Sequence, residues 1–230
     1  MTTTRPGRPP PPFPRSILAG PTLEAARALL GARLVRDPDG AGLPRRVGRI
    51  VEVEAYIGEE DRASHARMGL TLRNAVMFGP PAAAYVYLVY GMHHCLNVVT
   101  EPAPRPAAVL IRAVEPLEGL DAMRVARSAA SARARKPGGR GPAGGHVVDA
   151  RLAAGPGLVA AAFSVDRTHT GLDLCDAASS VRLESAPAGE AAPHVEATPR
   201  IGIAYAGEPW VSVRWRLIVP SSPSLSGRAR

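Results

Sequence analysis

Residues 84–90 and 94–100 are two runs of alternating β-branched, aromatic and aliphatic side chains, separated only by a turn around Gly91. Such a pair predicts a β-hairpin, and a hairpin joins antiparallel strands. Residues 47–56 alternate in the same way. Val51, Val53 and Ala55 fall on one face, and Ile50, Glu52, Glu54 and Tyr56 on the other, as in a strand with one apolar face. Further strands are expected at 107–114, 181–184, 200–205 and 213–219. Helices are expected at 23–30, with Thr22 as N-cap and Gly31 as stop, at 118–130 and at 157–163; residues 73–78 read as a short helix or turn. Strands and helices do not alternate as regular βαβ units. The predicted fold class is therefore α+β, a single mixed domain with a curved, largely antiparallel sheet and flanking helices. With 230 residues the chain can bury roughly two-thirds or more of its unfolded surface. The Pro/Arg-rich residues 1–15 read as a disordered tail, 16–226 as the domain and 227–230 as a frayed end, with a mobile loop at 136–145.

Charge narrows the function classes. The chain carries 28 basic against 20 acidic residues, a net +8. Lys136 is the only lysine. A coding bias accounts for arginine in place of lysine but not for the net excess, which is the footprint of a polyanion binder or of basic tails. No apolar run reaches the ~18 residues of a membrane span, and the N-terminus lacks the apolar stretch of a signal peptide. Cys95 and Cys175 form no CxxC, so a reduced, intracellular protein is expected. His93-His94-Cys95 has no spaced partner of metal-site type, and HExxH, GxGxxG, Walker A and GxSxG patterns are absent; no metal and no cofactor are expected.

The chemistry-bearing residues leave alternatives open. Five of the ten aromatic residues, Tyr56, Phe78, Tyr85, Tyr87 and Tyr90, fall between positions 56 and 90. Tyrosines in a cluster make either a core with satisfied hydroxyls or a stacking platform for a flat ligand. Tyr90, meeting Gly91-Met92-His93 at the hairpin tip, is either a wedge between base pairs or a side chain packed under the turn. Glu54 shares a strand face with Tyr56 and is either a general base in a lined pocket or, with Glu52, one of two glutamates on a solvated edge. His65, in Asp61-Arg62-Ala63-Ser64-His65, carries no signal of its own.

Taken in order, Val51-Glu52-Val53-Glu54-Ala55-Tyr56, Asp61-Arg62-Ala63-Ser64-His65, Arg73-Asn74-Ala75-Val76-Met77-Phe78, Tyr85-Val86-Tyr87-Leu88-Val89-Tyr90-Gly91-Met92-His93-His94-Cys95-Leu96-Asn97 and Leu110-Ile111-Arg112-Ala113-Val114-Glu115-Pro116 resemble the alkyladenine (3-methyladenine) DNA glycosylase family. Weaker matches continue at Gly155-Pro156-Gly157 and Arg200-Ile201-Gly202. The resemblance implies a monofunctional, metal-free DNA repair enzyme that flips a damaged purine out of the duplex and hydrolyses its N-glycosidic bond. It implies Glu54 as the general base and Arg112 as its partner in holding the water. Tyr56, His65 and Tyr87 would be the stacking walls, and Asn97 the residue that disfavours the guanine amino group. The fold implied is a single mixed domain with a protruding, DNA-inserting β-hairpin, on which Tyr90 would be the wedge, with Met92 and Met77 as supporting minor-groove contacts. The expected partner is double-stranded DNA with damaged purines, met by a monomer, with no membrane, in the cytoplasm at the nucleoid. Leu158, Ala82, Leu70, Leu72 and Pro220 depart from the family pattern outside the pocket set. The alternative class is a non-catalytic nucleic-acid-binding module that uses the tyrosines as a stacking platform.

Overall fold

The structure, a computed structural model, describes residues 10–38, 42–133 and 147–227. The loop expected at 136–145 and most of both expected tails lie outside the described residues. Of the span read as an N-terminal tail, residues 10–15 are described, and Phe13 anchors them to the fold. Phe13 is buried and its N–H donates to Leu183 O at 2.9 Å, and helix α1 (Arg15–Leu18) begins there. Helix α2 (Thr22–Leu29) follows. Thr22 is its first residue rather than its cap. The Thr22 hydroxyl is engaged with Thr100 Oγ1, and Glu101 Oε1 accepts from the Thr22 N–H at 3.2 Å, so a distant carboxylate satisfies a donor that the helix start leaves open.

The strands are β1 (Arg33–Arg36), β2 (Arg46–Ile57), β3 (Ala84–Val89), β4 (His93–Val99) and β5 (Ala107–Glu118). After helices α3 (Leu120–Arg133) and α4 (Pro156–Ala162) come β6 (Val181–Glu184), β7 (Glu196–Thr198) and β8 (Arg216–Ile218). They form one open, eight-stranded antiparallel sheet in the order β3-β4-β5-β2-β1-β6, with β8 against β2 and β7 against β8. The centre is the long β2–β5 pair, running from Val47 opposite Glu118 to Ile57 opposite Ala107. Gly48 allows this pair its close approach, since a Cβ there would lie 2.3 Å from Val114 Cγ1.

Side chains alternate between the two faces of a sheet, and here each face has its own use. Val53, Ala55, Val86, Leu96, Val98, Val109 and Ile111 point into the main core. Helix α2 closes that core with Ala25, Ala26 and Leu29, and α4 closes it with Val159, Ala160 and Ala162. The neighbouring positions Glu52, Glu54, Tyr56, Tyr85, Tyr87, Asn97 and Arg112 therefore fall together on the opposite face. A register irregularity around Glu52 in the β2–β5 pair lies at the charged part of that face.

Two of the expected strands change. Residues 200–205 do not pair as a strand. Arg200 is drawn inward as a buried ion pair, and Gly202 (φ +79°) and Gly207 (φ +66°) bend the chain, which ends in a 3-10 turn at Ala204–Ala206. The strand expected at 213–219 is confined to β8. The strands β1 and β7, of four and three residues, lie outside the expected strands, whereas β6, also of four residues, coincides with the one expected at 181–184. Among the described residues no helix is long and apolar enough to cross a membrane.

Candidate active site

Glu54 is completely buried in the middle of β2. Three donors hold it. The Tyr56 hydroxyl donates to Oε2 at 2.8 Å, Arg112 Nη1 to Oε2 at 3.2 Å, and the Ile201 N–H to Oε1 at 2.7 Å. A carboxylate offers about four acceptor positions. Among the described residues the one left over is on Oε1, beside Ile201.

Glu52, two residues earlier, is equally buried, so the solvated-edge reading of the two glutamates does not hold. Its carboxylate accepts from Arg112 Nε at 3.0 Å, Arg216 Nε at 2.7 Å, and the Ser226 N–H and hydroxyl at 2.6 and 2.7 Å. Burial pushes the Glu52 carboxyl up, but the Ser226 and Arg216 hydrogen bonds and the two guanidinium charges outweigh it and leave it below the usual carboxylate range. Arg112 is thereby fixed by three residues: Glu52, Glu54 and, through Nη2 at 3.2 Å, Ser226. Two carboxylates and two guanidiniums are thus gathered at one place.

Beside this cluster a small cavity is lined by Tyr56, His65, Met77, Tyr85, Tyr87 and Asn97. The His65 and Tyr87 rings meet edge to face at 4.4 Å, and Tyr85 and Tyr87 lie 5.4 Å apart. His65 Nδ1 shares a 2.8 Å hydrogen bond with the Tyr85 hydroxyl. Burial, helped by the charges of Arg73 and Arg67, lowers the His65 imidazole to about 4, and burial raises the Tyr85 hydroxyl to about 12. Both groups are neutral near pH 7. Asn97 Nδ2 donates to Tyr85 O at 3.0 Å, which fixes the orientation of the amide. Asn74 donates to the His65 and Gly69 carbonyls, both at 2.9 Å, and so ties down the loop carrying His65. A larger cavity of about 600 Å³ lies between α1, α2 and residues 185–195 and holds none of these groups. The convergence of charge and aromatic rings marks the site better than volume does.

The hairpin tip lies outside this cavity. Met92 N–H donates to Val89 O at 3.1 Å across Tyr90 (φ +51°) and Gly91 (φ +68°), the two positive φ values of a type I′ turn. Glycine takes that conformation freely; for a bulky tyrosine it is strained. Tyr90 is 87% exposed and Met92 51%, so Tyr90 is not packed under the turn. Met77 is different. At 2% exposure it is buried with Ala66, Tyr85 and Ala108 in a small cluster below the cavity. This placement removes it from the surface and corrects the expectation of a groove contact.

The residues that the resemblance groups, Glu54, Arg112, Tyr56, His65, Tyr87 and Asn97, lie together in the structure, which joins others to them. Tyr85 is the wall partner of His65, and Glu52, Ser226 and Arg216 fix Arg112. Arg200 and Asp61 lock the segment bearing Ile201. Strand alternation puts Glu52 on the face of Glu54 and Tyr56, and Tyr85 on that of Tyr87, whereas Ser226 and Arg200 lie more than a hundred residues from Glu52 and Glu54 in sequence. Among the described residues no group of three or more His, Cys, Asp or Glu side chains stands together as a metal site.

The family model for methylpurine-DNA glycosylase (MPG) matches residues 16–223. Curated relatives named "Putative 3-methyladenine DNA glycosylase" share high identity over nearly the whole chain. The protein from Methanocella arvoryzae is 46% identical over 220 residues, covering 95% of this chain and 98% of its own. That from Myxococcus xanthus is 46% identical over 214 residues, 93% of each chain. One from Bacillus cereus strain G9842 is 39% identical over 220 residues, covering 93% of this chain and 98% of its own.

Proposed function

The chain belongs to the methylpurine-DNA glycosylase family, and from that premise we propose that it releases alkylated or deaminated purines from duplex DNA as a monofunctional hydrolase. The observation that carries this reading is the buried Glu54 carboxylate, with three donors on it and one acceptor position left on Oε1. A water donating to that oxygen attacks the sugar carbon C1′, and its proton passes to Glu54. The C1′–N bond breaks, its electron pair leaves with the purine, and an abasic sugar remains. The nucleophile is water, so no lysine is needed. Alkylation puts positive charge on the purine, which makes it a better leaving group and draws it to electron-rich rings.

The cavity suits that substrate class. Tyr56, His65 and Tyr87 offer stacking surfaces, and a neutral His65 meets a cationic base without repulsion. Asn97, with its amide fixed on Tyr85 O, stands as a steric and polar filter against a 2-amino group. A base inside a duplex cannot reach such a cavity, so the nucleotide must be flipped, at a cost of a few kcal/mol that is least for a damaged or mispaired base. Exposed Tyr90 fills the gap, with Met92 beside it. Arg112, itself held by Glu52, donates to Oε2 and fixes the Glu54 carboxylate in place.

The test is release of base from duplexes carrying hypoxanthine or alkylated purines, read as alkali-labile strand breaks. Glu54→Gln keeps the shape of the side chain but cannot accept the proton. It should slow release about 10²–10⁴-fold while lesion binding persists. Release by this variant at the wild-type rate, or none from any lesion by the wild type, overturns the reading; binding without release would leave the stacking-platform module.

A further inference from the structure

Arg200 and Asp61 form an ion pair in which both side chains are fully buried. The contact is bidentate, Nη1 to Oδ2 at 2.6 Å and Nη2 to Oδ1 at 2.9 Å. A pair this deep gives up much hydration and is a poor source of net stability, so its presence points to what else it holds. Nη1 also donates to Ala55 O at 2.9 Å, the carbonyl between Glu54 and Tyr56. The guanidinium lies over the Tyr56 ring at 4.8 Å and the Trp215 ring at 5.1 Å. Asp61 accepts from the Ile57 and Ala63 N–H groups at 3.3 and 2.9 Å, so it is anchored at the end of the same strand, β2.

The next residue, Ile201, supplies the N–H on Glu54 Oε1. Residues 199–203 belong to no strand, so the ion pair, and not a ladder, sets where that N–H points. Two of the three donors on Glu54, the Tyr56 hydroxyl and the Ile201 N–H, are thus held by Arg200. We propose that Arg200, oriented by Asp61, is a positioning residue for the general base: it fixes Oε1 of Glu54, the oxygen that takes the proton from water. The inference rests on Glu54 being that base.

The experiment is a double-mutant cycle read by single-turnover release of hypoxanthine from duplex DNA, with rates expressed per enzyme competent to bind the lesion. Arg200→Lys keeps the charge and loses the fork and the planar stack. Alone, it should slow release about ten- to a hundredfold with lesion affinity unchanged. Added to Glu54→Gln it should cost less than about threefold, because the group it positions is already disabled. Asp61→Asn, of the same size as the native residue, should repeat the pattern and serves if Arg200→Lys does not fold. A merely structural pair would reduce the competent fraction and leave the rate per competent enzyme alone. Equal losses in both backgrounds, or no loss in folded Arg200→Lys enzyme, overturn the positioning role while leaving the glycosylase reading intact. Release by Glu54→Gln at the wild-type rate removes the base itself and this inference with it.

Discussion

His65 shows how far a single residue departs from what its sequence context signals. It sits in a polar loop, yet burial against Tyr85 and Tyr87, with Arg73 and Arg67 nearby, lowers its imidazole to about 4. In the unfolded chain a histidine titrates near 6.5. Between these values the unfolded state binds a proton that the native state refuses, so stability rises with pH across the window. The stabilisation is complete above about pH 6.5 and is lost as the pH falls through about 4, with a span of about 3 kcal/mol. His65→Gln should flatten that part of the stability–pH curve. Denaturant unfolding between pH 7 and pH 4 would check it, and identical slopes for wild type and variant would discard the assignment. Glu54 with Tyr56 was legible because strand alternation puts them on one face. The burial of Glu52 was not legible, because its partners Arg216 and Ser226 come from the far end of the chain. Arg200 was hidden for a related reason: the apolar alternation of Ile201, Ile203 and Tyr205 imitates a strand, and only the tertiary pairing with Asp61 breaks it.

At the scale of elements, period two was the reliable signal. The strands β2, β3, β4 and β5 were readable because each is six residues or longer and must fit a core on one face and the site on the other. The hairpin of β3 and β4 does more than fill the sheet edge. Cα partners run from Ala84 with Val98 to Val89 with His93, so the ladder that carries Tyr85, Tyr87 and Asn97 in the cavity also carries Tyr90 at its tip. Packing beside the turn is tight, since a Cβ on Gly157 of α4 would come within 3.1 Å of His93 Cβ. If Tyr90 acts as the wedge, it contributes only after the base has left the stack, by replacing stacking worth about 1–3 kcal/mol. Tyr90→Ala should therefore slow release about ten- to a hundredfold on a well-paired lesion and less on a mispaired one, where extrusion is already easier. The melting temperature should hold or rise slightly, because an exposed tyrosine at φ +51° adds strain rather than packing. Equal losses on both substrates together with a lowered melting temperature would discard the wedge.

At the scale of the whole molecule, the excess of arginine divides into two populations. Many arginines are spent within the fold: Arg33, Arg49, Arg112, Arg182, Arg200 and Arg216 all lie against carboxylates. These contribute nothing to a net external field. Others are exposed where the site opens. Arg62, Arg67 and Arg73 lie on the segment beside the cavity, with Arg67 over the Tyr205 ring at 5.3 Å and Arg73 over Tyr87 at 5.7 Å. On the proposed function, these three exposed arginines gathered beside the cavity offer a surface that tracks phosphates. Each phosphate neutralised releases condensed counterions, so for about five contacts log K should fall against log salt with a slope of roughly −4 to −5. Arg73→Ala should reduce the slope by about one while weakening binding to lesion-bearing and undamaged duplexes alike, because a phosphate contact reads no base. Titration of duplex binding from low to physiological salt checks both expectations. A flat response would mean that the basic excess is not a phosphate-tracking surface, and a loss confined to lesion-bearing duplex would place Arg73 in the pocket through its contact with Tyr87 instead.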